Sequence, residues 1–155
     1  MRRTLFTVYL LVAVKLIVFK YPLERLMEIA ASWQLDVIQE GLDTANFTLL
    51  HTIWMYIRYR DRLNSLENLA GNVLVFVPFG FLLPWADKSY WAWWKVLGGI
   101  FVFSAGIEVF QLLTSLGSFD VDDILLNCLG GMAGYRLYCF GRKISGTFEK
   151  GGHAV

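Results

Sequence analysis

Residues 96–116, VLGGIFVFSAGIEVFQLLTSL, form an apolar stretch interrupted by a single ionisable side chain, Glu108. At about 1.5 Å of rise per residue, a helix of this length crosses a hydrocarbon layer about 30 Å thick. Inside such a layer no water pairs with exposed backbone groups, so the segment satisfies them only as a helix. Two further runs belong to the same class: LAGNVLVFVPFGFLLPW at 69–85 and ILLNCLGGMAGYRLYCF at 124–140. The whole chain has 155 residues, of which 56% are hydrophobic and 17% charged. A water-soluble domain of that size leaves much of its surface exposed and has nowhere to hide so many apolar side chains. The expected fold class is therefore all-α and integral to a membrane.

Near the N-terminus, Arg2 and Arg3 precede TLFTVYLLVAVKLIVF, with Lys15 inside the run and Lys20 closing it. The charged start and apolar middle suit a signal peptide, but no small-residue cleavage site follows directly. The segment 4–20 reads as an uncleaved span whose lysines snorkel to the headgroups. With it, the chain is expected to form one membrane domain of four transmembrane helices, at 4–20, 69–85, 96–116 and 124–140. Residues 21–68 carry most of the acidic side chains and place apolar residues at helical spacing, as Leu50, Ile53, Trp54 and Ile57 do. YPLERLMEIAASW and LLHTIWMYIRYRDRL are expected as amphipathic interfacial helices. The tail 141–155 is polar and is expected to fray in water.

Lysine and arginine mark the cytoplasmic side of a membrane protein. With four crossings, Arg2 and Arg3, then Lys88 and Lys95, then Arg136, Arg142 and Lys143 share one side. Both termini are thus expected in the cytoplasm, with 21–68 and the turn 117–123 outside. Arg58, Arg60 and Arg62 run against this, though long loops follow the rule poorly. The tryptophans of WADKSYWAWW suit an aromatic belt at the cytoplasmic interface.

Polar residues gather at the other side. Ser104, Glu108, Gln111 and Ser115 recur at spacings of 4, 3 and 4, which puts them on one helix face. Asp123 and Asn127 share a face of the next helix, and Asn68 and Asn72 share one near the outer end of the helix before. An ionised carboxylate near the bilayer centre costs about 2.5–3.5 kcal/mol on insertion scales. Glu108 is accordingly expected to face the bundle or a hydrated cleft. Simpler roles compete: Asp120 and Asp122 suit helix caps, while Asn72 and Asn127 suit interhelical hydrogen bonds, and Gly130 with Gly134 suits close helix approach. Pro78 frees the carbonyl of Leu74, and a kink there would widen a cleft.

Several classes are excluded or unsupported. The net charge of +1 gives no case for nucleic-acid binding. Cys128 and Cys139 would lie about 16 Å apart along a helix, too far for a disulfide. His51 and His153 belong to no metal-ligand motif, so no metal or other cofactor is expected.

The motifs ENLAGNVLVFVPFGFLLPW (67–85), SAGIEVFQLL (104–113) and FDVDDILLNCLGGMAGY (119–135) together resemble the VanZ-like family of small bacterial membrane proteins. ANFTLLHTIWMYI (45–57) is similar to the family's upstream block, keeping Asn46, Thr52 and Ile53 but not its Pro-Phe pair. The resemblance covers about residues 45–135 and places the family's polar signature on Asn72, Glu108, Gln111, Asp120, Asp123 and Asn127, with Asp122 beside them. It implies a multi-pass protein of the bacterial cytoplasmic membrane, a cell-envelope role and teicoplanin-type resistance, but no defined reaction.

Three functions remain open. The first is binding or remodelling of a lipid-linked wall precursor or lipoglycopeptide in an outward cleft, with membrane lipids as neighbours. The second is an intramembrane enzyme with Glu108 and Asp123 as acid and base. The third is a structural or assembly partner. Neither the ligand nor the oligomeric state follows from the residues.

Overall fold

The computed structural model describes residues 1–17, 21–59 and 65–151. Its helices are α1 (Arg2–Ile17), α2 (Leu23–Ala31), α3 (Asp36–Thr44), α4 (His51–Arg58), α5 (Ser65–Ala86), α6 (Trp93–Thr114) and α7 (Val121–Gly151). A single 3-10 turn, Lys88–Tyr90, joins α5 to α6. Extended pairing among the described residues is limited to an isolated parallel bridge between Asn46 and Asp120.

Among the described residues, two helices are long and apolar enough to cross a membrane, over Glu67–Ala86 and Trp93–Thr114. The expected first span corresponds to α1, while residues 18–20 and 60–64 lie outside the described residues. The expected last span is the N-terminal part of α7, which runs on as one helix to Gly151. No proline interrupts 141–151, so the backbone continues the helix through residues expected to fray. The amphipathic stretch 21–59 is broken into three short helices, α2 to α4.

The core is a contact of α5 with α6: Phe76, Phe79 and Leu83 pack against Val96, Ile100 and Ile107. From α1, Phe6, Tyr9, Leu10 and Val14 cover the same cluster. The Tyr9 hydroxyl donates to the Val75 carbonyl at 2.7 Å, in the turn preceding Pro78 and Phe79. Helix α7 lies on α5 at the closest approach its backbone permits. A Cβ on Gly130 would stand 2.0 Å from the Val73 carbonyl oxygen, and one on Gly134 would stand 1.9 Å from that of Val77. Gly130 and Gly134 therefore act as close-packing residues between helices.

The distribution of polarity is inverted relative to a water-soluble bundle. Ser104, Glu108 and Gln111 of α6 are buried, whereas Phe101, Val102 and Val109 of the same helix are exposed. Such an exterior is stable against hydrocarbon rather than water.

Basic residues collect at one end. Arg3 pairs with Asp87 at 3.2 Å, Arg2 lies over the Trp85 ring at 5.1 Å, and Arg142 lies 4.0 Å from the Trp91 ring centroid. The start of α1, the α5–α6 joint and the later turns of α7 thus meet. At the opposite end, α2 to α4 lie over the turn between α6 and α7. The Trp33 indole donates to the Leu113 carbonyl at 2.8 Å, and the Ser118 hydroxyl donates to the Thr44 carbonyl at 2.8 Å.

Candidate functional site

The 4-and-3 spacing of Ser104, Glu108 and Gln111 becomes a polar stripe on the buried side of α6. Helix α6 ends at Thr114, and Ser115 adopts a left-handed backbone with φ 53° that turns the chain back. Asp120 then caps α7, its Oδ1 accepting the Asp122 N–H at 2.8 Å. The Glu108 Oε2 accepts the Asp120 backbone N–H at 2.9 Å. A carboxylate from one helix therefore satisfies a free donor at the start of the next, where the helix dipole favours negative charge.

Asn127 joins the two helices more deeply. Its Nδ2 donates to the Ser104 hydroxyl at 2.8 Å, and the residue is 3% exposed. Its other amide atom, Oδ1, is buried without a hydrogen-bond partner. Unpaired buried acceptors are uncommon in folded chains.

These groups border a cavity of about 360 Å³. Asn72 from α5, Glu108 and Gln111 from α6, and Asp120, Asp123 and Asn127 at the start of α7 all line it. Gly71, Asn68 and Glu67 complete the α5 wall, with Leu16 and Ile17 from α1 and Tyr56 from α4 at the sides. Gly117 gives Gln111 its room, since a Cβ there would lie 2.7 Å from the Gln111 amide carbon. Among the described lining residues there are carboxylates at Glu67, Glu108, Asp120 and Asp123, and no Lys, Arg or His. No group of three or more His, Cys, Asp or Glu among the described residues is placed to hold a metal ion.

Asp122 is not brought to this cavity. It is fully buried, and its carboxylate accepts backbone N–H groups of Leu50, Thr52 and Ile53, the latter two at 2.8 and 3.2 Å. It thus caps α4 from a distant part of the chain, supplying what Leu50, the residue before that helix, lacks. Asn46 ties the same region together, donating to Thr52 Oγ1 at 3.0 Å and to Asp120 Oδ1 at 2.9 Å. Its backbone also pairs with Phe119 and Val121.

Sequence reasoning did not put Glu67 or Tyr56 beside the cavity. Glu67 stands next to Asn68, and the Asn68 amide reaches the Tyr56 hydroxyl at 3.4 Å. Only the folding of α4 back over α5 joins them, and nothing in local spacing records it. For the upstream segment a signal did exist: Asn46 and Thr52 are the residues kept from the block at 45–57.

With this geometry in hand, the match to known proteins has a clear extent. A family model described as VanZ/LLP1 matches residues 6–142, taking in every residue that lines the cavity. The chain belongs to the VanZ/LLP1 family. It is also similar to a curated relative, Protein VanZ from Enterococcus faecium, at 27% identity over 106 residues. That alignment covers 63% of this chain and 65% of the relative. No solved structure matches the chain. Among its described residues, this VanZ/LLP1 chain thus combines two membrane-length helices with a polar cavity at one end of them.

Proposed function

We propose that this VanZ/LLP1 protein is a multi-pass protein of the bacterial cytoplasmic membrane that binds an acylated envelope molecule in an outward-facing polar cleft, protecting the cell against teicoplanin-type lipoglycopeptides. In this reading α1 and the N-terminal part of α7 cross the membrane beside α5 and α6, and α2 to α4 lie in the outer interface. The observation that carries it is the convergence of Asn72, Glu108, Gln111, Asp120, Asp123 and Asn127 on one cavity. Gathering these groups in an apolar chain is costly unless they meet each other, water or a ligand. The orientation rests on the basic cluster of Arg2, Arg3, Lys88, Lys95 and Arg142 around the opposite end.

The ligand is a lipid-linked wall precursor or the lipoglycopeptide itself. Its tail would lie against apolar helix faces, and its polar part would enter between α5, α6 and α7. The decisive experiment uses Ser118→Cys, at the cavity rim, with Cys128 and Cys139 replaced by alanine. A membrane-impermeant maleimide applied outside intact cells should label this position, and teicoplanin should slow the labelling. Labelling only after the membrane is opened would reverse the orientation, and labelling unaffected by the drug or by wall precursors would remove the ligand.

A further inference from the structure

We propose that a groove between α1 and α6, separate from the cleft, holds an acyl chain of an anionic phospholipid whose phosphate sits among the basic residues at the groove's end. The inference rests on α1, α5 and α6 spanning a membrane, and not on the cleft being a binding site.

The first observation is the groove. Phe6, Leu10 and Val14 of α1 form one wall and Gly98, Val102 and Gly106 of α6 the other, around about 780 Å³. Small-molecule sites span roughly 300–1,000 Å³. Gly98 and Gly106 stand about two turns apart on α6, and a Cβ added at either would meet no atom within 4 Å. The missing side chains thus deepen the groove to the α6 backbone. A cavity lined in this way offers water too few hydrogen bonds and stays dry. In a membrane it is filled by hydrocarbon.

The second observation is the charge at one end. Tyr90 lines the groove and belongs to the 3-10 turn that begins at Lys88. Arg2 and Arg3 precede Phe6 by four and three residues, and Lys95 precedes Gly98 by three. These cations therefore lie one turn below the lining, on the same faces of both walls. Helical side chains lean toward the N-terminus, which is this end for α1 and for α6, so all three reach away from the apolar lining. Next to Tyr90, Lys88 and Arg142 lie 5.7 and 4.0 Å from the Trp91 ring centroid. The Tyr135 hydroxyl holds Trp91 in place by donating to its carbonyl at 2.7 Å.

Among the described residues of this end Asp87 is the one carboxylate, and it is paired with Arg3. The tail 145–155, whose side chains lie outside the described residues, contributes Glu149 and Lys150, one of each sign. Neither α1 nor α6 has an acidic residue in its first turn, so both helix dipoles add to the positive charge.

One molecule satisfies both features. A phosphate accepts charge-assisted hydrogen bonds from Arg and Lys, while its acyl chain covers the groove. A zwitterionic phospholipid brings its own cation to the same place and gains less. The α1 or α6 of a second copy would fill the groove but bring further basic residues to this end.

The test reconstitutes the full chain in phosphatidylcholine bilayers with phosphatidylglycerol or phosphatidylcholine spin-labelled on the acyl chain. Electron spin resonance separates chains immobilised by the protein from those of the bulk bilayer. The wild type should hold phosphatidylglycerol about fivefold more strongly than phosphatidylcholine, the effect of one basic side chain at an anionic surface. Arg2→Gln with Lys95→Gln should bring the two lipids to nearly equal strength. Gly98→Leu with Gly106→Leu extends side chains into open groove space, and should also abolish the preference although every charge remains. Equal binding of the two lipids by the wild type, or a preference that the leucines leave untouched, would overturn the groove as a phospholipid site. A wild-type dimer that the leucines convert to a monomer would overturn it in favour of a second copy. A chain that fails to enter the bilayer would overturn the membrane reading on which the inference rests.

Discussion

Glu108 Oε2 stands 2.9 Å from the backbone nitrogen of Asp120 and accepts its hydrogen. The bond spans the turn between α6 and α7, so one side chain sets how the two polar helix faces meet. It also means that Glu108 has a structural role alongside any contact with a ligand. Substitutions there must keep an acceptor if function is to be separated from folding. Glutamine does so, because its Oε1 can take the same hydrogen.

Asp122 should be a stability residue. Its carboxylate holds the first N–H groups of α4 from across the chain, and Leu50, the residue before that helix, provides no side-chain cap of its own. Asp122→Ala should cost about 1–3 kcal/mol, since a cap is lost and buried donors are left unpaired. Thermal unfolding in detergent should show the fall, with Asp122→Asn intermediate. An unchanged transition in the alanine variant would remove the capping role.

The glycines divide into two groups. Gly80→Ala, Gly130→Ala and Gly134→Ala each drive a methyl group into a backbone carbonyl of the facing helix. Each should destabilise the α5–α7 contact by about 1–3 kcal/mol. Gly106 has nothing within 4 Å of the added carbon, so Gly106→Ala should stabilise by up to about 1 kcal/mol through helix propensity. Equal behaviour of Gly106 and Gly130 variants would contradict the packing described.

Asp87 offers a pH-dependent marker at the basic end. The Ser89 backbone N–H holds its carboxyl below the usual value of 3.8, with the Ser89 side chain next and Arg3 a smaller contributor. A depressed carboxyl stabilises the fold above its unfolded value, and that contribution is lost as pH falls through the folded value. The window therefore lies below about pH 4. A carbon NMR titration should find Asp87 ionising below its peptide value. Arg3→Ala should move it little, because the pair is exposed and screened. A large upward move would make Arg3 the dominant cause.

The sequence made the stripe on α6 and the paired Asp123 and Asn127 legible, because helical spacing alone puts them on common faces. It also showed which runs were apolar enough to be helices. It could not show the destination of Asp122. Next to Asp123 in the chain it looked like part of the same polar group or a cap of its own helix, yet its partners lie about 70 residues away. That pairing depends on α4 folding over the start of α7, which the Asn46–Asp120 bridge secures. Long-range closures of this kind have no local period. The division of 21–59 into three helices was hidden for a related reason, since each has fewer than ten residues and owes its order to the helices beneath.

The most direct test of the account expresses the protein in a teicoplanin-sensitive bacterium and compares wild type with Glu108→Gln combined with Asp123→Asn. Membrane abundance and detergent unfolding are measured beside the minimum inhibitory concentration. The account predicts that the double variant reaches wild-type abundance and stability while losing most of the protection. Full protection from a variant that is equally abundant and stable would contradict the cleft as the functional site.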